Sequence, residues 1–185
     1  MRSGIAQFLR YLATERNASD LTIKAYREDL FGLIDWLETS RGKIPRPDSL
    51  SPQDLRAFQA ALQEAGYART TIARKLASLR SFYRFAIRQG IATENPAKPL
   101  RNPRQQRKLP LVLSTAEIGR LLSAPPANET AGLRDRAILE TMYSAGLRVS
   151  ELVGLRDGDL DESEQIIRVR GKGRKERISP LGSYA

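Results

Sequence analysis

Apolar residues recur at helical spacing over the first ninety positions, then give way to shorter and more mixed patterns. Ile5, Phe8, Leu9 and Leu12 follow the i, i+3, i+4, i+7 rule of an amphipathic helix. Ser19 is placed to cap a second helix, with Tyr26, Leu30, Leu33, Ile34 and Leu37 on one face. Ser51-Pro52-Gln53-Asp54 combines a cap residue, a first-turn proline and an acid near the positive end of the helix dipole. Leu55, Phe58 and Leu62 form the stripe of that third helix, and Gly66 ends it. Thr70 opens a fourth, with Ile72, Leu76, Leu79, Tyr83 and Ala86 inward and Gly90 at its close. The pattern predicts a compact four-helix domain over residues 1–93, with Tyr26, Trp36, Phe82 and Tyr83 as core.

From Asn95-Pro96 to Pro110 the periodicity lapses. Prolines at 96, 99, 103 and 110 bias the residues before them away from helix, which predicts an extended linker over 94–110. A third region covers 111–185. Ser114-Thr115-Ala116-Glu117 is a capping box leading into Ile118, Leu121 and Leu122. A helix over 131–144 carries Leu133, Ala137, Ile138 and Met142; Gly146 closes it, and a short helix follows over Val149 to Leu155. Gln165–Arg170 and Arg177–Pro180 read as two strands, joined by a turn over Gly171 to Glu176.

Charge changes the picture. The 185 residues carry a formal net charge of +10, and the isoelectric point near 10.3 points to an anionic partner, nucleic acid first and acidic membrane second. Two short segments hold nearly all of the excess. Residues 94–108 contain five cations against one acid, and residues 168–177 contain six against Glu176 alone. Charge focused in this way suits phosphate binding through counterion release. With no cysteine and no histidine, disulfides, thiolate metal sites and histidine chemistry are excluded within these residues. No apolar run reaches the roughly 20 residues of a membrane span, and the N-terminus has no signal-peptide core, so the expectation is a cytoplasmic protein.

Two residues carry candidate chemistry. Arg148 sits between the end of one helix and the start of the next, where a guanidinium can fork onto the two free oxygens of a phosphodiester. Glu151, one turn later, is placed to orient it. Lys172 lies between Gly171 and Gly173 at a hairpin tip, where it can donate a proton to a departing sugar oxygen. Arg174, Lys175 and Arg177 read as backbone clamps. Plainer readings remain open at this point: an i, i+3 surface ion pair for Arg148 and Glu151, and a solvated basic turn for Lys172. The row Arg74, Lys75, Arg80, Arg84 and Arg88 beside the fourth apolar stripe is either a solvated face or a DNA-facing one. Arg104, Arg107 and Lys108 in the linker fit a strap over a DNA backbone or an ordinary tether.

The run Ser144-Ala145-Gly146-Leu147-Arg148-Val149-Ser150-Glu151-Leu152 and the hairpin Gly171-Lys172-Gly173-Arg174-Lys175-Glu176-Arg177 resemble those of Xer-type tyrosine recombinases, of the phage integrase family. Pro180-Leu181-Gly182, Asn95-Pro96-Ala97 and Leu109-Pro110 agree, as do Thr22, Lys24, Tyr26 and Leu30. The resemblance implies a mainly α protein: an N-terminal four-helix SAM-like core-binding domain, then the first part of an α+β catalytic domain with a β-hairpin. It implies double-stranded DNA as substrate, and a tyrosine that attacks the scissile phosphate to give a 3′-phosphotyrosyl link and a free 5′-hydroxyl. Neither metal nor cofactor is needed. A second recombinase of the family is implied as partner in a tetrameric synapse, with chromosome dimer resolution as the cellular task.

Within the resemblance, Arg148 takes the place of the first catalytic arginine, Lys172 of the hairpin lysine and Glu151 of the supporting acid; Thr22 and Lys24 join the DNA-binding set. Both a XerC-like and a XerD-like reading stay open, the basic 95–110 junction leaning to the former. The family pattern continues with a His-x-x-Arg motif, a second histidine or tryptophan and the nucleophilic tyrosine. No residue here matches these, and Tyr184 stands at an ordinary position. The expectation is therefore a C-terminally truncated recombinase that does not cleave alone, with apolar surface exposed near Ile118, Ile138 and Leu152. The competing readings are a non-catalytic DNA-binding module or regulator, and a phage- or transposon-type integrase.

Overall fold

The computed structural model describes residues 1–103, 109–171 and 176–182, and it divides into two compact units, Met1–Lys108 and Leu109–Ala185. Lys172, Arg174, Lys175, Arg104, Arg107, Lys108 and Tyr184 lie outside the described residues.

The first unit holds four helices: α1 (Arg2–Thr14), α2 (Asp20–Arg41), α3 (Pro52–Glu64) and α4 (Arg69–Arg88). Their starts follow the local chemistry. The Ser19 hydroxyl accepts from the Thr22 amide at the head of α2. At α3 the Ser51 hydroxyl accepts from the Asp54 amide while the Asp54 carboxylate accepts from the Ser51 amide at 2.9 Å, a reciprocal cap on two otherwise unpaired donors. Arg41 at the end of α2 also bonds Asp54. Burial opposes ionisation there, but the Arg41 and Ser51 bonds outweigh it and hold the Asp54 carboxyl below its ordinary range. The expected apolar faces meet in one core, where Phe8 stands edge-on to Tyr26 and Phe82, and the fully buried Tyr83 donates its hydroxyl to the Pro47 carbonyl.

The segment expected to begin the linker does not behave as one. Ala97 and Leu100 are buried in the first unit's core. The Arg80 guanidinium donates to the carbonyls of Ala97 and Leu100 and to the Asn102 side chain, while the Asn95 amide donates to the Arg80 carbonyl. The backbone here is not helical, so its carbonyls are open to side-chain donors, and one arginine serves two of them. Residues 95–102 are thus an integral part of the first unit.

The second unit contains α5 (Thr115–Ser123), α6 (Thr130–Ala145), α7 (Val149–Val153) and a three-stranded antiparallel sheet in the order β1-β2-β3. Its strands are β1 (Leu160–Asp161), β2 (Ile166–Arg170) and β3 (Glu176–Pro180), with Arg168 opposite Ile178. The two-residue β1 escaped the sequence pattern, and Gln165, expected in a strand, instead takes a positive φ of 49° in the turn before β2. The core is small: Ala145, Leu147, Ile167 and Val169, flanked by Leu152, Leu155 and Leu181. No α5 residue is buried, and Leu121, Leu133, Ile138, Tyr143 and Val153 all expose much of their surface.

Leu79 has no exposed surface in the first unit. Leu79→Ala is expected to cost about 2–5 kcal/mol through lost burial and the cavity left behind. Trp36, the single tryptophan, packs on Phe58 within the same core and reports the change as an earlier urea midpoint in fluorescence.

Candidate functional site

The Arg148 turn is built from both sides. Gly146 ends α6 in the left-handed region at φ +59°, a conformation that a residue with a Cβ resists. Leu147 then drops into the small core, and Arg148 extends at φ −77°, ψ 151° before α7 begins. The third strand pins this turn. Ser179 donates to the Ala145 carbonyl at 2.6 Å, the Gly182 amide to the Ser144 hydroxyl, and Arg177 to the Gly146 carbonyl at 3.2 Å. These acceptors lie at the C-terminal end of α6, where carbonyls lack partners within the helix.

Glu151 ties the turn together. Its side chain is 4% exposed. One carboxylate oxygen accepts from the Arg148 guanidinium at 2.8 Å; the other accepts from the Arg148 backbone amide at 2.9 Å and from Arg177 at 3.3 Å. The backbone bond first, then the two guanidinium groups, hold its carboxyl below the ordinary glutamate range against the desolvation that opposes them. A carboxylate so held fixes one edge of Arg148, whose side chain is 73% exposed. The remaining donors face solvent, an arrangement suited to gripping the free oxygens of a phosphodiester and stabilising charge that develops on them.

Not every cation in the basic segment has this freedom. Arg177, expected to clamp a DNA backbone, joins β3 to the Arg148 turn through Glu151 and Gly146. Arg170 is held by the buried Asp159 at 2.9 Å and by Glu176 at 3.3 Å.

The first unit sorts its expected DNA-binding residues in the same way. Thr22 pairs its hydroxyl with Ser19 at the head of α2, and Lys24 lies exposed, 3.9 Å from Glu28. Arg80 is committed to the 97–102 segment. Lys75, expected on an outer face, is buried; its ammonium bonds Asp29 at 3.3 Å and lies over the Tyr67 ring. Arg74 also bonds Asp29 but stays half exposed. Arg84 lines an open groove with Arg16 and Arg88 over Tyr11 and Tyr26, and no acid lines that groove. Arg88 itself bonds the Tyr11 hydroxyl.

Sequence reasoning missed Arg16 and Asp29. Asp29 had a signal: it follows Tyr26 by three residues and precedes Leu33 by four, a charge inside an apolar stripe. Arg16 lies beyond the apolar pattern of α1 and carries no comparable mark.

Residues 5–90 match the family described as "Phage integrase, N-terminal SAM-like domain", and residues 112–185 match "Phage integrase family". The chain is 44% identical over 184 residues to "Tyrosine recombinase XerC" of Pelotomaculum thermopropionicum, covering 98% of this chain and 60% of that protein. It is 43% identical over 182 residues to "Tyrosine recombinase XerD" of Bifidobacterium longum, covering 97% and 58%. The chain thus spans about three fifths of the length of the curated relatives it matches. Among solved structures, it resembles the Tn1549 transposon integrase in complex with circular intermediate DNA, with a TM-score of 0.69 and 26% identity over 98% of this chain and 60% of that one. The fold also resembles a lambda integrase dimer bound to a COC′ core site, with a TM-score of 0.72 and 17% identity over 97% and 62%.

Because the Glu151 carboxyl is lowered on folding, its contribution to stability is fully present above the unfolded value of 4.5 and is lost as pH falls through the lower folded value. Glu151→Gln should therefore melt earlier than wild type at neutral pH, with the gap closing on acidification below about pH 4. Thermal melts followed on the Leu147 and Val169 methyl signals check this. A gap independent of pH would remove the ionised carboxylate from the account.

Proposed function

This chain belongs to the phage integrase family of tyrosine recombinases, and from that premise we propose that it grips duplex DNA for site-specific strand cleavage and rejoining. The observation that carries the reading is the Arg148 guanidinium, fixed on one edge by a buried carboxylate and open on the other. Arg148 binds the non-bridging oxygens of the scissile phosphate and stabilises the charge that grows on them during attack. Glu151 orients it, and Arg177 keeps the hairpin against the turn. By the resemblance, Lys172 donates the proton to the 5′-oxygen as the P–O5′ bond breaks and the tyrosyl O–P bond forms. Arg74, Arg84 and the α4 face of the first unit grip the duplex away from the reacting phosphate.

In the whole protein this reading makes the chain one recombinase of a tetrameric synapse with a second family member, resolving chromosome dimers in the cytoplasm. Among the described residues no helix is long and apolar enough to cross a membrane. The 185 residues contain no histidine for the family's His-x-x-Arg segment. That observation favours a second reading for the chain taken alone: it binds DNA and does not cut it.

A nicked suicide duplex, which traps phosphotyrosyl adducts, should yield no covalent product with this chain; an adduct mapped to any of its tyrosines would sink the binding-only reading. Arg148→Ala should weaken duplex affinity about tenfold or more, the loss of a charge-assisted forked contact. It should also reduce the slope of log K against log salt by about 0.9, one phosphate's worth. Fluorescence anisotropy across a salt series measures both, and an unchanged slope would remove Arg148 from the phosphate.

A further inference from the structure

Asp29 has no part in the reading above, yet it is the most enclosed acid of the first unit, 1% exposed. A carboxylate withdrawn from water needs cations and hydrogen-bond donors around it. Asp29 projects from the middle of α2, and all of its side-chain partners come from one stretch of α4. Ser78 donates to Oδ2 at 2.7 Å, Lys75 to Oδ1 at 3.3 Å, and one terminal nitrogen of Arg74 to Oδ2.

The two cations are not equivalent. Lys75 is enclosed and lies over the Tyr67 ring, so it supplies the internal counter-charge. The charge of Arg74 is therefore in surplus. Its guanidinium is half exposed, and its Nε and Nη2 bond nothing among the described residues. It stands beside a shallow groove between α2 and α4, next to Thr22 and Tyr26. Tyr26 also borders the acid-free groove of Arg16, Arg84 and Arg88, so the two grooves adjoin at that ring.

We propose that Asp29 is a positioning residue for DNA binding: it fixes one edge of the Arg74 guanidinium so that the free nitrogens meet a phosphate of the duplex backbone. This rests on the duplex-binding reading above. A free arginine loses rotamer freedom when it binds; one already held loses less, so the acid strengthens binding to a polyanion. A simple charge argument has the opposite sign, since removing an acid beside a DNA-binding face should tighten binding.

The sign makes the test. Duplex affinity is measured by anisotropy for the wild-type chain, Asp29→Asn, Arg74→Ala and the double variant, at a temperature where circular dichroism shows each folded. Arg74→Ala should lower the salt slope by about 0.9. Asp29→Asn should weaken binding about twofold to tenfold, the cost of ordering one long side chain, and should have no further effect once Arg74 is alanine. Tighter or unchanged binding by Asp29→Asn overturns the proposal, as does an equal loss in both backgrounds, which marks a purely structural acid. An unchanged slope for Arg74→Ala overturns it too.

Should Asp29→Asn fail to fold, the wild-type chain still decides. Hindered rotation in a held guanidinium should give separate Arg74 Nη–H signals by NMR in the absence of DNA, and averaged signals overturn the proposal. A wild-type chain without salt-dependent duplex affinity overturns the duplex-binding reading itself, and this inference with it. The variants fail separately, against a wild type that binds.

Discussion

A carboxylate taken out of water must be met by cations or donors, and that constraint organises both units of this protein. Asp29 in the first unit is met by basic side chains of α4, and Glu151 in the second by Arg148 of its own turn and Arg177 of β3. Asp159 repeats the pattern against Arg170. In the first two cases a buried cation or a backbone amide satisfies part of the acid, and an arginine at the rim keeps donors for an outside partner. Such a pair is a poor source of net stability, because desolvation offsets attraction. Its effect is geometric: it fixes where a flexible guanidinium points.

This arrangement changes what the strong positive charge means. Arg80, Lys75, Arg170 and Arg177 complete internal contacts, whether capping carbonyls, neutralising acids or fastening a strand to a turn. Arg74, Arg84 and Arg148 keep much of their surface for solvent or a ligand. A net charge therefore overstates the number of phosphate contacts. Salt dependence, which counts phosphates neutralised, is the better measure of the interface.

The two units differ in how completely they bury their apolar faces. The first closes a continuous core around Phe8, Leu79, Phe82 and Tyr83 and draws residues 95–100 into it. The second closes four residues between the end of α6 and the sheet, while α5 and much of α6 keep leucines and a tyrosine at the surface. The site is placed where that smaller core is best made: Leu147, beside Arg148, is one of its members. Substitutions at Leu147 or Val169 should thus be felt at Arg148, whereas those on the outer side of α5 should not.

Much of this was legible in the residues. Periodicity located the four helices of the first unit, a cap residue with a following proline marked Ser51, a capping box marked Ser114, and Gly146 marked the turn before Arg148, because these signals act within a few residues along the chain. The motif around Arg148 and Glu151 was readable for the same reason: i, i+3 spacing brings the two side chains together locally. What the chain alone could not reveal was which cations are internal. Arg80 meets acceptors 17–22 residues away, Arg177 reaches Glu151 from 26 residues away, and Arg74 and Lys75 meet Asp29 across more than 40. Those meetings depend on how helices cross and strands return, and a charge pattern carries no record of either. The sequence determined where the candidate phosphate-binding arginine sits; the tertiary structure decided which arginines keep donors free for a ligand, because only packing brings distant acids and carbonyls within reach.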